Sequence, residues 1–353
     1  MFAALPLASL SVPAGALTGS LVAMFEVGVV LAARRASPSR SWRAIAQRAA
    51  SFRLRAPRAI SPRGGIAAAL LLVVALALAF VAWPASAGSA RVVALDVGQG
   101  DAYLVEVGGA VALIDGGPDP ARLLDELGAT LPPWHRRIDV VALTHAHTDH
   151  GAGLLAMLER YDVGLAIEPL GLNPSPLTDL WSAALAKRAI ERRPVRAGQR
   201  VQLGAATIAV LAPADDLVVD TPSLVLRVES GAFSALFTGD AVDDALGRLL
   251  AHPERLRSRV YVPPHHGAQT PYASALRASA RPEAALISVG TGNRYGHPTP
   301  ETLQALAGVP TYRTDKDGTV EIALDGTGLV VRTHANALPP PRRGFVPYSA
   351  PSQ

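Results

Sequence analysis

Histidine and aspartate residues cluster in one short segment, residues 144–151, with the sequence THAHTDHG. His145 and His147 follow a strongly apolar stretch that predicts a β-strand. Residues two apart in an extended segment point to the same side, so both imidazoles could bind one metal ion. After a turn, Asp149 and His150 could reach a second ion. The chain contains no cysteine. Imidazole and carboxylate ligands without thiolate suit Zn²⁺, with Mn²⁺ or Fe as alternatives.

Three further segments place ligand-type residues directly after apolar stretches. Asp240 follows the stretch FSALF, where a carboxylate could bridge two cations, and paired histidines, His265 and His266, follow RVYV. Asp115 follows the stretch ALI. We interpret Asp115 as a turn residue or a residue that supports a ligand, with direct metal binding as the alternative. These positions predict loops at strand ends, where catalytic groups are commonly placed.

The positive charge of the chain is concentrated in one segment. The formal net charge is +4, but residues 1–90 carry nine arginines, all between positions 34 and 63, and a single acid. Residues 91–353 carry 24 basic and 28 acidic residues, a net charge of −4. The larger part of the chain is therefore mildly acidic, which does not favour general binding to a nucleic-acid backbone. Local arginines could still form a patch if the fold brings them to one face, namely Arg192, Arg193, Arg196, Arg294 and Arg313.

Two apolar segments flank the arginine-rich loop and predict a membrane region over residues 1–90. Residues 66–83 are uncharged and long enough to cross a bilayer as a helix, and residues 5–33 form a second, less regular candidate. The positive-inside rule places loop 34–63 in the cytoplasm and the rest of the chain on the periplasmic or extracellular side of the inner membrane. The alternatives are a signal-peptide core at 66–83 and a nucleic-acid-binding arm at 34–63.

Residues 91–334 alternate between short β-rich stretches and helical patterns, which predicts an α/β domain. Residues 335–353 are rich in proline and predict an unstructured tail. Strands are expected within 91–107, 110–117, 138–145, 201–211, 223–229, 233–238, 259–265 and 284–290, with a closing hairpin near 311–333. Helices are expected at 121–128, 153–160, 243–251, 271–280 and 300–308.

These motifs resemble those of known hydrolases. THAHTDHGAG, the strand end FTGD and a following histidine are similar to the metallo-β-lactamase superfamily of binuclear hydrolases. The segments ALDVGQGDA, VPPHHGAQTPYASAL, ISVGTGNRYGHP and YRTDKDGTVEI resemble, more specifically, the extracytoplasmic domain of ComEC-type DNA-uptake (competence) channel proteins. The resemblance covers about residues 91–333. It implies a four-layer αββα sandwich preceded by membrane helices, of which this chain retains one or two, as in a C-terminal fragment or truncated form.

The resemblance also implies a ligand set of two divalent ions, Zn²⁺ or Mn²⁺. His145 and His147 would bind one ion, Asp149 and His150 the other, and Asp240 would bridge them. His265 would complete the second site, with His266 taking its place if the register differs by one.

One ligand expected from the superfamily is missing. Members often have a histidine between the first motif and the bridging aspartate, but no histidine occurs between His150 and His252. The first site therefore has one protein ligand fewer. Asp220 could assist a metal there, or Ser223 could contact the substrate.

The activity implied by the resemblance is a metal-dependent phosphodiesterase or nuclease acting on DNA. A metal-activated hydroxide would attack, and Asp149 would orient it. The expected substrate contacts are Ser223, His266, Asn293, Arg294 and His297. The membrane, DNA and other components of DNA uptake are the expected partners. The alternatives are hydrolysis of an ester, lactone or thioester at the same metal centre, or a non-catalytic remnant of a DNA channel.

Overall fold

The computed structural model describes residues 90–214 and 222–334. Three parts of the sequence-based prediction lie outside these residues. They are the two apolar segments with the arginine-rich loop, the proline-rich tail, and Asp220. None of the helices in the described ranges has the length and apolar character needed to cross a bilayer.

The strands of the described residues form two mixed sheets. The first has the order β15-β14-β1-β2-β3-β4-β5-β6. Its strands are β1 (Ala90–Ala94), β2 (Tyr103–Val107), β3 (Ala110–Ile114), β4 (Arg137–Ala142), β5 (Asp162–Pro169), β6 (Glu191–Val195), β14 (Thr319–Asp325) and β15 (Gly328–His334).

The second sheet has the order β13-β12-β11-β10-β9-β8-β7. Its strands are β7 (Arg200–Leu203), β8 (Ala206–Ala212), β9 (Val225–Ser230), β10 (Phe233–Phe237), β11 (Val260–Val262), β12 (Ala284–Ile287) and β13 (Thr311–Arg313). The α-helices between the strands are α1 (Pro120–Thr130), α2 (Thr148–Arg160), α3 (Pro176–Lys187), α4 (Asp243–Leu249), α5 (Ala273–Ala280), α6 (Pro300–Ala305) and α7 (Thr314–Asp317).

The buried side chains form separate apolar layers. One layer joins the inner faces of the two sheets, and Tyr103 of the first sheet lies 5.3 Å from Phe237 of the second, between ring centroids. A second layer packs the first sheet against α1, α2 and α3, with Trp181 fully buried. A third packs the second sheet against α4 and α5. The predicted α/β fold is confirmed, with two sheets covered by helices on their outer faces.

The strand directions bring the predicted site residues to one region. β3 is parallel to β4, and β10, β11 and β12 are parallel to one another. The carboxyl ends of neighbouring parallel strands lie at the same edge of a sheet, so the loops that follow them are neighbours. The two sheets also meet there, because Leu224 N–H donates to the carbonyl of Thr144 at 2.9 Å.

The sequence-based assignment of elements differs from the structure in three places. No element was predicted over residues 162–195, where β5, α3 and β6 lie. Helix α2 begins at Thr148, not at residue 153 as predicted. Its two glycines weaken the helical signal in the sequence, but in the structure they pack against neighbouring segments of the chain. The predicted hairpin at 311–333 is divided between the sheets, with β13 in the second and β14–β15 in the first.

Gly153 allows helix α2 to approach the loop after β3. A Cβ atom at Gly153 would lie 2.0 Å from the carbonyl oxygen of Gly116. We expect Gly153→Ala to displace the helix and to destabilise the fold by about 1–3 kcal/mol or more, as overpacking does. Gly128, in α1, is the matched control, since a Cβ there would meet nothing within 4 Å.

Thermal unfolding followed by circular dichroism tests this expectation. Gly153→Ala should lower the melting temperature, whereas Gly128→Ala should leave it unchanged or raise it, because alanine favours a helix by up to about 1 kcal/mol over glycine. Equal shifts for the two variants would contradict the close approach at Gly153.

Candidate metal centre

Asp115 holds the segment after β4 in place and orients His150. Its carboxylate accepts hydrogen bonds from Thr144 N–H at 2.8 Å and from the Thr144 hydroxyl at 2.6 Å. The same carboxylate lies 2.8 Å from Nδ1 of His150. Both Asp115 and His150 are fully buried. Contact with Nδ1 leaves Nε2 of His150 as the atom available to a metal, an arrangement typical of metal-binding histidines.

His145 and His147 lie side by side, as the spacing predicts. Nε2 of His145 and Nδ1 of His147 are 3.0 Å apart. His145 is buried, whereas His147 is exposed. Two ring nitrogens at this separation can converge on one ion that lies beyond them.

Asp240 lies at the centre of the cluster. Its Oδ2 atom faces three imidazole Nε2 atoms, at 3.6 Å from His145, 3.4 Å from His150 and 3.6 Å from His265. The backbone N–H of Asp240 donates to Oγ of Ser223 at 3.0 Å, which fixes the loop after β10. Ser223 therefore positions Asp240, whereas the sequence-based prediction gave Ser223 a contact with the substrate.

His266, rather than His265, joins the group formed by Asp149 and His150. Nε2 of His266 lies 3.5 Å from Oδ2 of Asp149, and the three residues form one possible metal-binding group. The side chain of His266 is buried, whereas that of His265 is 57% exposed. The geometry thus gives His266 the position first expected for His265.

Asp101 supports His266 from behind, and the sequence-based prediction did not include it as a site residue. Its Oδ1 atom lies 3.0 Å from Nδ1 of His266, and it also accepts a hydrogen bond from the Tyr103 hydroxyl at 3.3 Å. Asp101 is buried. The acid that ends the glycine-rich segment VGQGD is the sequence signal that could have indicated it.

The loop that carries Asp101 packs closely on the start of helix α2. Asp101 N–H donates to the carbonyl of Asp149 at 3.1 Å. The neighbouring Gly100 has φ +155°, and a Cβ atom there would lie 2.2 Å from the same carbonyl oxygen. Only glycine permits this approach, which fixes Asp101 and Asp149 relative to each other.

Asn293 organises the loop after β12, where further substrate contacts were predicted. Its side-chain oxygen accepts hydrogen bonds from the N–H groups of Tyr295 and His297, each at 3.2 Å. Its amide nitrogen donates to the carbonyl of His297 at 2.8 Å. The His297 ring lies 5.7 Å from that of His265, between centroids, so this loop borders the cluster. Arg294, in the same loop, is exposed.

The cluster attracts positive charge. Burial would lower the pKa of His150, but Asp240 and Asp115 outweigh burial and raise it well above the ordinary value. Burial likewise opposes protonation of His266, but Asp101 and Asp149 raise its pKa to about 10. Burial would raise the pKa of Asp240, yet the histidines around it, His150 above all, hold that pKa well below its usual range.

Buried polar atoms without partners are consistent with bound metal ions. Within the described ranges, Nε2 of His150, Nε2 of His266 and Oδ1 of Asp240 are buried and form no hydrogen bond. Such orphaned atoms are rare in native proteins and call for a specific explanation. A divalent cation would satisfy them and would replace the protons that the carboxylates draw onto the histidines. The residues present therefore fit the imidazole–carboxylate metal centre that the sequence predicts.

The arginines considered for a phosphate-binding patch are dispersed and largely ion-paired. Arg192 and Arg193 lie on edge strand β6, where they pair with Glu168 and Glu191. Arg313 lies on β13 of the other sheet and pairs with Asp315 at 2.6 Å. Of the arginines considered, Arg294 is the one on the loop that borders the cluster.

The chain belongs to the metallo-beta-lactamase superfamily, whose family model matches residues 95–291. This membership supports the assignment of the chain as a metal-dependent hydrolase. Within the superfamily, the similarity to ComEC-type competence proteins is confirmed by two relatives that each cover 68% of the chain.

The first of these relatives is ComE operon protein 3 of Bacillus subtilis, 26% identical over 270 residues, which amount to 34% of that protein. The second is competence protein ComA of Neisseria gonorrhoeae, 28% identical over 246 residues, which amount to 33% of that protein. The chain thus spans about a third of the length of these relatives. A third relative, ribonuclease Z of Methanopyrus kandleri, is 32% identical over 34% of this chain and 44% of its own length.

Removing the charge of Asp101 should weaken metal binding through His266. In Asp101→Asn the carboxylate that holds Nδ1 of His266 is lost, and partners of this kind typically change metal affinity about 10- to 100-fold. Asp325→Asn, the same substitution at an exposed position of the β14–β15 hairpin, is the control. Calorimetric titration with Mn²⁺ provides the measurement, and equal affinities for both variants would argue against a supporting role for Asp101.

Proposed function

We propose that this chain is a metal-dependent phosphodiesterase, a nuclease that acts on DNA during competence-type DNA uptake. The observation that carries the proposal is the position of Asp240, whose Oδ2 atom faces three imidazole nitrogens where the two sheets meet. The names of the relatives support a nucleic-acid substrate, since two are competence proteins and another is a ribonuclease.

The ligand set that we assign is divided between two sites that share Asp240. His145 and His147 would hold the first ion, and Asp149, His150 and His266 would hold the second. His265 approaches the shared oxygen of Asp240 from the solvent side, at 3.6 Å. We assign it to the first site, which lacks the histidine that superfamily members often have between the first motif and the bridging aspartate. Either Zn²⁺ or Mn²⁺ suits these donors.

When bound, two divalent cations lower the pKa of a water molecule and polarise the phosphoryl group. The residues of the chain supply positioning. Asp149, whose pKa is held low by His266 and His150 against the effect of burial, is ionised and can accept a hydrogen bond from the attacking water. Arg294 and His297, on the loop beside His265, offer donors to phosphate oxygens. Asn293 acts on substrate indirectly, since its side chain holds this loop in shape.

We also propose that residues 1–90 anchor the chain in the inner membrane, with the hydrolase domain on the periplasmic or extracellular side. The uncharged segment 66–83 and the nine arginines of loop 34–63 support this topology. The excess acidic charge of residues 91–353 makes strong general binding to DNA unfavourable. Capture of the substrate then depends on the cations and on Arg294.

Cleavage of DNA by the full chain tests the proposed activity. We expect single- or double-stranded DNA to be cut with Mn²⁺ or Zn²⁺ and not with EDTA. Asp149→Ala and Asp240→Ala should lower the rate by about 100-fold or more, the magnitude typical of removing groups that act directly on the transition state.

Asp325→Ala serves as the control because this residue is exposed on the β14–β15 hairpin. Hydrolysis of a lactone or thioester with DNA left intact would instead place the chain among the ester hydrolases of the superfamily. Binding of DNA without turnover, unaffected by chelation, would indicate a non-catalytic channel component.

The number of metal ions bound per chain tests whether His265 and His266 are both metal ligands. In His266→Ala the second site loses a ligand, so the bound Mn²⁺ should fall from two ions per chain towards one. In His265→Ala one ion should remain tightly bound, because Asp149, His150 and His266 are intact. His252→Ala, at an exposed position, should match wild type. Two ions retained in His266→Ala would contradict its place in the second site, and two ions retained in His265→Ala would contradict its place in the first.

A further inference from the structure

An exposed tyrosine ends a series of rings that leads outwards from the candidate metal centre. His265 Nε2 lies 3.6 Å from Asp240 Oδ2, and the His265 ring lies 5.7 Å from that of His297. The Tyr295 ring follows, 6.0 Å from that of His297 and inclined to it by 28°. Tyr295 is 56% exposed, although it carries a large, partly apolar side chain. The series therefore leads from the partly buried carboxylate of Asp240 to an exposed aromatic side chain.

The backbone that carries Tyr295 is held in place before any ligand binds. Asn293 accepts hydrogen bonds from the N–H groups of Tyr295 and His297 and donates to the carbonyl groups of Gly290 and His297. Gly290 N–H in turn donates to the side chain of Gln99 at 3.1 Å, which ties the loop to the segment that carries Asp101. A ligand that binds to Tyr295 therefore does not have to order this backbone, which reduces the entropic cost of binding.

A cation accompanies the exposed ring. The guanidinium carbon of Arg294 lies 5.3 Å from the centroid of the Tyr295 ring, and Arg294 also donates to the tyrosine hydroxyl at 3.4 Å. Arg294 is exposed, so its remaining N–H groups are accessible from solvent. An aromatic face beside a guanidinium group matches the two parts of a nucleotide, because bases stack on aromatic rings and phosphates bind arginine.

We propose that Tyr295 binds a nucleobase of single-stranded DNA by stacking, next to the phosphodiester that lies at the metal centre. The proposal rests on the proposed nuclease function and specifies its substrate. In a duplex both faces of a base are covered by its neighbours, whereas a single strand leaves a face free for the tyrosine ring. Stacking of this kind tolerates any base, so the site selects a single strand without selecting a sequence.

Binding of two fluorescent oligomers to the full chain tests the proposal. One is a short oligothymidine, and the other has the same length and phosphates but lacks bases. In Ca²⁺ buffer, fluorescence anisotropy should show that Tyr295→Ala weakens binding of oligothymidine roughly 5- to 150-fold, the range typical of losing one stacked base. Binding of the abasic oligomer should not change. Tyr295→Phe should retain the affinity for oligothymidine, because it keeps the aromatic face.

Trp134→Ala is the matched control, since Trp134 is 51% exposed but precedes β4, at the end of that strand opposite to His145. An equal loss for both oligomers in Tyr295→Ala, or no loss for either, would overturn the stacking proposal.

Cleavage of the same oligomers in Mn²⁺ separates this proposal from the proposed function. Base-dependent binding through Tyr295 without any cleavage would support stacking and overturn the nuclease. Cleavage with no base-dependent effect of Tyr295→Ala on binding would support the nuclease and overturn stacking.

Discussion

Asp240 lies where the loops of two sheets meet, and its Oδ2 atom faces three imidazole nitrogens at 3.4, 3.6 and 3.6 Å. A buried carboxylate is costly unless positive charge compensates it. The surrounding histidines can supply that charge by binding protons or by holding a metal ion. Asp101 and Asp115 add two further buried carboxylates behind His266 and His150. The arrangement therefore calls for positive charge on or between the histidines, which a bound metal ion would supply.

The fold brings these histidines and carboxylates together from distant parts of the chain. His145 follows β4 of the first sheet, and Asp240 and His266 follow β10 and β11 of the second. Helix α2 begins at Thr148, so that Asp149 and His150 lie in its first turn. Two close contacts hold these parts in register, at Gly100 against Asp149 and at Gly153 against Gly116. These glycines therefore fix the positions of the candidate metal ligands.

The net charge of the whole chain is the sum of two regions with opposite charge. The net charge of +4 arises from the arginines at positions 34–63, whereas residues 91–353 carry a net charge of −4. Within the described residues, Arg192, Arg193 and Arg313 are paired with acids. Under the proposed function, attraction of DNA to this domain would depend on local groups, namely the metal ions, Arg294 and the ring of Tyr295. Recognition by these local groups would favour a flexible single strand over a rigid duplex.

Much of the chemistry follows from the sequence, because the ligand residues of the first motif lie within six positions of one another. Local spacing is enough to bring His145 and His147 together, and the absence of cysteine limits the donors to imidazole and carboxylate. Most strands after residue 90 are also evident from their apolar stretches. Strand β6 was not, since it carries two arginines and Pro194, which an edge strand tolerates.

Only the tertiary structure decides which of two adjacent histidines meets Asp149. His265 and His266 are equivalent in sequence, but both adopt positive φ, 52° and 55°, and this turn buries one ring and exposes the other. The tertiary structure alone also brings Asp101 and Tyr295 to the site, because both lie far from the first motif along the chain. The sequence by itself determined the metal chemistry, because ligand type and local spacing are encoded in neighbouring residues. The tertiary structure decided which side chains lie together at the candidate metal centre and that the ring of Tyr295 lies beside it, because these depend on contacts between loops that the two sheets bring together.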